Sequence, residues 1–306
     1  MTILIVGLGS IAMKHINAIQ ELLGDHTIYA LRSQRSDREG NNEGVISIYE
    51  ISQINMESID FIIVSNPTAF HYETIKNLTY FNKPLFIEKP LFSEVSKKTE
   101  ALVASISRKN ILTYVACNLR FLDSIIEIKN IIKTERINEV NVYCGSYLPE
   151  WRPNMDFRKV YSAHKELGGG VHIDLIHELD YIYWLWSEPL EMKSFFSNKS
   201  SLNITSFDYA NYLWNYKDFS VSIILNYYRK DSKRTLEVIT DSGTYLVNLL
   251  ENTITKNGAI IYSSAQRIPD TYKSQMSYFV DSVLHAKESF NTVQEANRIL
   301  ELCIMD

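Results

Sequence analysis

Cysteine is scarce in this chain of 306 residues, with Cys117, Cys144 and Cys303 far apart and none in a CxxC pair. An odd, sparse set argues against a disulfide framework and predicts reduced thiols in a cytoplasmic protein. Basic stripes are missing too. The formal net charge is −5 and Lys and Arg do not cluster, so a nucleic-acid or anionic-membrane surface is not expected. No apolar stretch approaches the roughly 20 residues that a membrane helix needs. The opening MTILIVGLGS has no basic segment, and its apolar run, Ile3 to Val6, is too short for a secretory signal. Internal repeats and low-complexity tracts are absent. What is present, 45% hydrophobic and 22% charged residues, is the composition of a soluble globular protein with one large domain or two ordinary ones. Tyrosine is abundant, at 19, and many lie in the second half. That suits aromatic-rich strands or a sugar-like ligand.

The first half alternates strand and helix signals. Ile3–Val6 reads as a buried parallel strand, and a helical pattern follows from Ser10 to about Leu23. Further strands are expected at 27–31, 61–64, 85–87 and 111–115, with helices near 71–80 and 93–108 and a looser polar loop after 31. Such alternation implies right-handed βαβ units and a parallel sheet. Gly7-x-Gly9-x-x-Ala12 sits where the first strand ends and a helix opens. There a glycine fingerprint allows a tight turn, close approach of a pyrophosphate, and anion binding at the amides of Ser10 and Ile11. An unrelated glycine turn would look the same in isolation.

Ligands of open α/β sheets bind at the carboxyl ends of strands. Two such ends carry polar groups: Ser65-Asn66-Pro67-Thr68 followed by His71, and Glu88-Lys89-Pro90. These residues are read as cofactor-facing. A surface lysine in a turn is the plainer account of Lys89. The end of the second strand reads Leu31-Arg32-Ser33-Gln34-Arg35, with no carboxylate before Asp37. An NAD site would place an Asp or Glu there for the ribose hydroxyl. Arg32, Ser33 and Arg35 instead suit a 2′-phosphate, so NADP is expected over NAD.

The segment Gly168-Gly169-Gly170-Val-His-Ile-Asp-Leu-Ile-His-Glu-Leu-Asp-Tyr is dense in ionisable groups. Read as one helix, it aligns Asp174, His177, Glu178 and Tyr181 in a stripe, with Leu175, Leu179 and Ile182 in a packing stripe. The plain account is an amphipathic helix with a solvated face. The sharper one is an acid/base pair lining a cleft, where the glycines admit substrate. A metal site from Asp174, His177 and Glu178 lacks an HExxH-type signature, and none is expected.

In their order and spacing, Gly7-x-Gly9-x-x-Ala12, Asn66-Pro67-Thr68-x-x-His71, Glu88-Lys89-Pro90 and the Gly168-Gly169-Gly170 segment resemble the glucose–fructose oxidoreductase/inositol dehydrogenase (Gfo/Idh/MocA) family of nicotinamide-dependent sugar and polyol oxidoreductases. The resemblance runs by motif from residue 1 to about 185, and Glu88-Lys89-Pro90 is its most specific part. It implies an α/β fold: an N-terminal Rossmann doubly wound parallel sheet (1–117) and a C-terminal α+β domain (118–306) with a large, mostly antiparallel sheet. It implies Lys89 near the nicotinamide and the reacting carbon, with Asp174 and His177 as the acidic residue and the histidine that follow the glycine run. This chain spaces that pair D-x-x-H, one residue shorter than the family's commoner D-x-x-x-H. A histidine titrates in the useful range for moving the alcohol proton. Asp174 would hold the imidazole or a substrate hydroxyl, and Lys89 would stabilise negative charge on the substrate oxygen.

After about Asn118 the alternation is lost. Asn118-Leu119-Arg120-Phe121 opens a helix expected to reach about Thr134, and a strand follows near 140–146. The loop with Trp151, Arg152, Arg158 and Tyr161 suits a polyhydroxylated or phosphorylated ligand, although Trp and Arg also stack at domain borders. Substrate contacts are expected from Lys89, Asn118, Arg120, Trp151, Arg152, Arg158, Tyr161, Asp174 and His177. Strands at 208–216, 220–228, 235–240 and 244–248 read as an antiparallel meander with one face free for a homodimer or homotetramer interface. Helices near 273–286 and 293–304 close the chain. The expected activity is NAD(P)-dependent oxidation or reduction of a sugar, polyol or nucleotide sugar. A non-catalytic dinucleotide-responsive regulator and a reductase of a non-sugar substrate, biliverdin-reductase-like, are the rivals.

Overall fold

The protein is described by a computed structural model over residues 1–33 and 44–305. Arg35 and Asp37 lie outside the described residues. In chain order the elements are β1 (Thr2–Val6), α1 (Ser10–Leu22), β2 (Thr27–Leu31), β3 (Val45–Ile48), β4 (Phe61–Val64), α2 (His71–Leu78), β5 (Leu85–Ile87), α3 (Lys97–Arg108) and β6 (Thr113–Val115). There follow α4 (Asp123–Ile131), β7 (Ile137–Tyr147), α5 (Val171–Asp174), α6 (His177–Trp186), β8 (Glu191–Ser197), β9 (Tyr209–Asn215) and β10 (Ser220–Asn226). The chain ends with β11 (Tyr228–Thr240), β12 (Gly243–Asn248), β13 (Thr253–Lys256), β14 (Ala259–Ser263), α7 (Thr271–Leu284) and α8 (Val293–Ile304). They form two compact units: residues 1–116 with 272–300, and residues 117–271 with 301–305.

The first unit is a parallel sheet in the order β3-β2-β1-β4-β5-β6. Ile3, Leu4 and Ile5 on β1 and Phe61 to Val64 on β4 are fully buried, as strands covered on both faces must be. That order reverses between β1 and β4, so the carboxyl ends of these two strands flank the expected ligand crevice. β3 arises from the short Val-Ile-Ser-Ile run, too brief to stand out from the polar loop before it.

The expectation of a contiguous second domain from 118 to 306 is corrected here. Residues 272–300 pack on the parallel sheet. Phe279 lies edge-on to Phe61 and Phe86, at 5.3 and 5.4 Å between ring centres. Gln275 accepts a hydrogen bond from the Tyr114 hydroxyl at 3.2 Å. Asn291 extends the edge of β6, its carbonyl taking the amide of Val115 at 2.9 Å and its side-chain amide donating to the Val115 carbonyl at 2.8 Å. Burying Phe279 alone contributes about 1.5–3 kcal/mol, which holds this chain-distant helix on the unit.

The second unit carries eight strands in the order β14-β13-β12-β11-β7-β10-β9-β8. β7 and β10 run parallel and every other pairing is antiparallel. The sheet is therefore not a simple meander, because β7 inserts between β10 and β11. β8, β13 and β14 were not anticipated. Alternation is clean on the covered face, with Ala210, Tyr212 and Trp214 on β9 and Val221, Ile223 and Leu225 on β10 all at 0% exposure. α4 lies against β12 and β13, and α5 against β9 and β10. The other face leaves Phe195, Leu213 and Leu246 exposed. The helix expected from Asn118 starts instead as a 3-10 turn over Asn118–Phe121, with α4 following. Among the described residues, no helix is long and apolar enough to cross a membrane.

Candidate active site

In the first unit the glycine turn has the geometry a dinucleotide needs. Gly7 adopts φ +89°, and a β-carbon there would lie 2.7 Å from the Asn66 α-carbon and 2.8 Å from its nitrogen. Any side chain would thus collide with the loop after β4, quite apart from the backbone strain. Ser65 locks that loop from its other side, its hydroxyl lying 3.2 and 3.1 Å from the carbonyls of Val6 and Gly7. Above Gly9 the space is open. α1 begins there with no side-chain cap and no acid in its first turn, so Ser10 and Ile11 present amides that no local carboxylate opposes. Pro67 is exposed at the β4 end, and Asn66 donates its side-chain amide to Thr74 at 2.8 Å. At the end of β2, Arg32 donates to the Ser47 hydroxyl on β3 at 3.3 Å, and Ser33 beside it is exposed.

Two residues expected to contact the cofactor are also engaged within the fold. Glu88 is buried, its carboxylate 2.5 Å from Nε2 of the fully buried His15 on α1 and accepting the Lys89 amide at 3.1 Å. This ties the glycine-turn helix to the Lys89 loop. His15 was missed because it sits on the buried face of α1, past the end of the glycine motif. His71 is also buried, its ring nitrogens 3.1 Å from the Leu91 carbonyl and 2.9 Å from that of Asn66. Burial lowers its pKa, against the pull of those carbonyls. It clamps the two loops together. Lys89 itself is half-buried, in a cis peptide bond to Pro90.

In the second unit the glycine run leads to a different arrangement from the single helix expected. α5 is one turn that ends at Asp174. Leu175 breaks the regular geometry, and α6 starts afresh at His177. The stripe is therefore divided. Asp174 is buried and accepts two hydrogen bonds, from the Tyr161 hydroxyl and the Tyr227 hydroxyl, each at 2.5 Å. Burial first, then the adjacent carboxylate, pushes both phenols above their ordinary pKa. Both remain neutral donors, and between them they orient Asp174 as an acceptor. Gly169 serves this loop: a β-carbon on it would come within 2.1 Å of the Tyr161 carbonyl. His177 is half-buried at the first residue of α6.

The other charged groups of the segment are spent within the fold. Glu178 pairs with Arg234 of β11. Asp180 binds Arg120 through two parallel bonds of 2.8 and 2.7 Å, with both residues at 1% exposure. Arg120 is thus not the substrate contact expected of it. Asn118, also buried, donates to the Thr271 hydroxyl at 2.7 Å, and it too is structural. His172 lies against Phe196 and Phe207, and burial pulls its pKa down to about 4.

From the 151–161 loop Tyr161 reaches Asp174, while the tryptophan and the arginines lie against aromatic rings. Trp151 meets Tyr227 edge-on at 5.3 Å and donates its indole N–H to Ser146 at 2.9 Å. The Arg152 guanidinium lies 5.7 Å from the centre of the Tyr161 ring, and that of Arg158 4.7 Å from the Phe157 ring. Tyr227 was not expected, since it reaches Asp174 from 53 positions away. Among the described residues, no group of three or more His, Cys, Asp and Glu is placed to hold a metal ion.

Comparison with known proteins gives matches along most of the chain. A myo-inositol 2-dehydrogenase of Thermotoga maritima is 22% identical over 305 residues, covering 92% of this chain and 88% of that one. An NADP(+) scyllo-inositol 2-dehydrogenase of Bacillus subtilis is 28% identical over 112 residues, which span 36% of this chain and 31% of that protein. Among solved structures, the UDP-N-acetylglucosamine 3-dehydrogenase of Acidithiobacillus ferrooxidans superposes with a TM-score of 0.80 at 13% identity, covering 99% of this chain and 95% of that one. A scyllo-inositol dehydrogenase of Lactobacillus casei, solved with NAD(H) and scyllo-inositol, gives 0.77 at 19% identity, covering 99% and 94%. The model of an oxidoreductase family with an NAD-binding Rossmann fold matches residues 1–116, and that of the GFO/IDH/MocA C-terminal domain matches residues 125–246. With both family models matched in chain order, the first on the parallel sheet and the second within the other unit, the chain belongs to the GFO/IDH/MocA oxidoreductase family.

Proposed function

We propose that this protein is an NAD(P)-dependent oxidoreductase that moves a hydride between the nicotinamide and a secondary hydroxyl or ketone of a sugar, polyol or nucleotide sugar. The observation that carries this reading is the carboxylate of Asp174, buried yet oriented by two phenol donors, in a chain that also keeps an open, uncapped glycine turn. A purely regulatory dinucleotide sensor has no use for such a carboxylate. The inositol and nucleotide-sugar dehydrogenases it resembles supply the substrate class.

A bound nicotinamide would supply the hydride acceptor or donor. The turn from Gly7 to Ala12, with the amides of Ser10 and Ile11, would hold its phosphates, and the Ser65–Pro67 loop would border it. Lys89 donates a hydrogen bond to the substrate oxygen and stabilises negative charge there. Asp174 accepts from a substrate hydroxyl and fixes its direction. His177 takes or returns the hydroxyl proton. Trp151, Arg152, Arg158 and Tyr161 complete the substrate contacts. Arg32 and Ser33 at the end of β2 favour a 2′-phosphate, hence NADP. The exposed Phe195, Leu213 and Leu246 favour self-association through the open face of the large sheet, and the three buried free thiols fit the cytoplasm.

The deciding experiment uses the purified protein. Co-purified dinucleotide is identified first. Polyols and nucleotide sugars are then screened by nicotinamide absorbance, with mass by light scattering alongside. Hydride transfer to none of them, with a dinucleotide bound, would overturn the enzyme reading.

A further inference from the structure

The proposed function leaves open what distinguishes this protein's sugar from a neutral polyol, and Arg152 bears on that. Its guanidinium lies 5.7 Å from the Tyr161 ring centre, and the Tyr161 hydroxyl is bonded to Asp174 at 2.5 Å. One aromatic ring therefore separates a cation from the carboxylate. Arg152 is exposed and forms no ion pair among the described residues.

The surroundings reinforce the positive charge. Residues 147–168 hold four cations (Arg152, Arg158, Lys159, Lys165) against three acids (Glu150, Asp156, Glu166), in a chain whose formal charge is −5. Two of those acids are engaged locally. Asp156 accepts the Arg158 amide at 3.0 Å, and Glu166 accepts from the Thr205 hydroxyl at 3.2 Å and lies 3.0 Å from His164 Nδ1. Tyr227 also donates to the Asp174 carboxylate and carries Trp151 edge-on against its ring.

We propose that Arg152 reads an anionic substituent of the substrate, so that the protein acts on sugars carrying a phosphate, diphosphate or carboxylate rather than on neutral polyols. The arrangement also sets where that group sits. A substrate anion is repelled by Asp174, so hydroxyls go to the carboxylate and the anion goes to the guanidinium across the Tyr161 ring. A planar guanidinium can bind phosphate or carboxylate oxygens in pairs, which a lysine cannot reproduce.

This inference rests on the proposed function, and its test separates the two. The cofactor-loaded protein is titrated calorimetrically with glucose, myo-inositol, glucose 6-phosphate, glucuronate and UDP-N-acetylglucosamine, and the same compounds are assayed for turnover. At least one anionic sugar is expected to bind more tightly than the neutral ones, with an advantage that shrinks as salt rises. Which one does so distinguishes phosphate, carboxylate and nucleotide diphosphate. Arg152→Gln should cut the anionic-to-neutral affinity ratio roughly 10- to 150-fold, the range for a hydrogen bond to a charged group. Arg152→Lys should recover only part of it. Circular dichroism confirms that both variants fold. A ratio unchanged in Arg152→Gln, neutral sugars bound as well as anionic ones, or binding of neither class overturns the inference. Charge-selective binding without hydride transfer leaves it standing and sinks the oxidoreductase reading instead.

Discussion

Replacing Arg120 by methionine separates a structural role from a substrate-binding one. Arg120 and Asp180 are each 1% exposed and joined by two parallel bonds of 2.8 and 2.7 Å. The methionine removes the cation and strands the carboxylate in the interior. Breaking a buried pair from one side costs about 3–5 kcal/mol. For a unit of this size each kcal/mol shifts the melting point by about 2–4 °C, so Arg120→Met should lower it by roughly 6–20 °C. Removing both charges should be far milder. In Arg120→Met/Asp180→Leu the desolvation penalty disappears with the pair, and stability should return to within about 1–2 kcal/mol of the parent. The readout is clean, because all four tryptophans, Trp151, Trp184, Trp186 and Trp214, lie in the second unit. Their fluorescence through a urea titration reports that unit's unfolding. The pair also fixes the start of α6, so the single variant should disturb His177, three residues before Asp180. A single-variant loss below about 1 kcal/mol, or a raised KM with no loss of stability, would refute the structural assignment and return Arg120 to the substrate.

Lys89→Ala should slow single-turnover hydride transfer by several orders of magnitude while dinucleotide affinity holds, since the phosphates rest on the Gly7 turn; a rate within about threefold of the parent removes Lys89 from the chemistry. Arg32→Ala should weaken NADP binding much more than NAD binding, measured as dissociation constants for both. Tighter NAD binding by the parent would show the end of β2 to be misread. His172 should make folding acid-sensitive. Its pKa is about 4 folded, against the ordinary 6.5. The unfolded chain therefore takes up a proton that the native state refuses, and stability present above pH 6.5 is lost as pH falls toward 4, by about 3 kcal/mol in all. In His172→Gln the urea midpoint should fall less over that interval, and an identical fall in parent and variant would assign the acid sensitivity elsewhere.

What could be read from the chain followed from how local the cause was. β1 and β4 stood out because strands covered on both faces must be apolar throughout, and the glycine turn because Gly7-x-Gly9-x-x-Ala12 follows directly on the first strand. β14 is exposed along most of its length and β8 buries none of its residues, so no burial pattern marked them. Helix α7 looked like the tail of the second domain because chain order was the only guide. Its assignment to the first unit rests on Phe279 meeting Phe61 and Phe86, a contact across some two hundred residues that periodicity cannot express. The candidate site divides in the same way. Asp174 and His177 were found by type and spacing, but the argument that aligned them presumed an unbroken helix. The break at Leu175 ends that alignment. Asp174 is then oriented by Tyr161 and Tyr227, 13 and 53 positions away. A carboxylate held by its own helix would owe its direction to the D-x-x-H spacing. This one owes it to a loop and a strand end, so the shortened spacing can change where His177 points while leaving Asp174 in place.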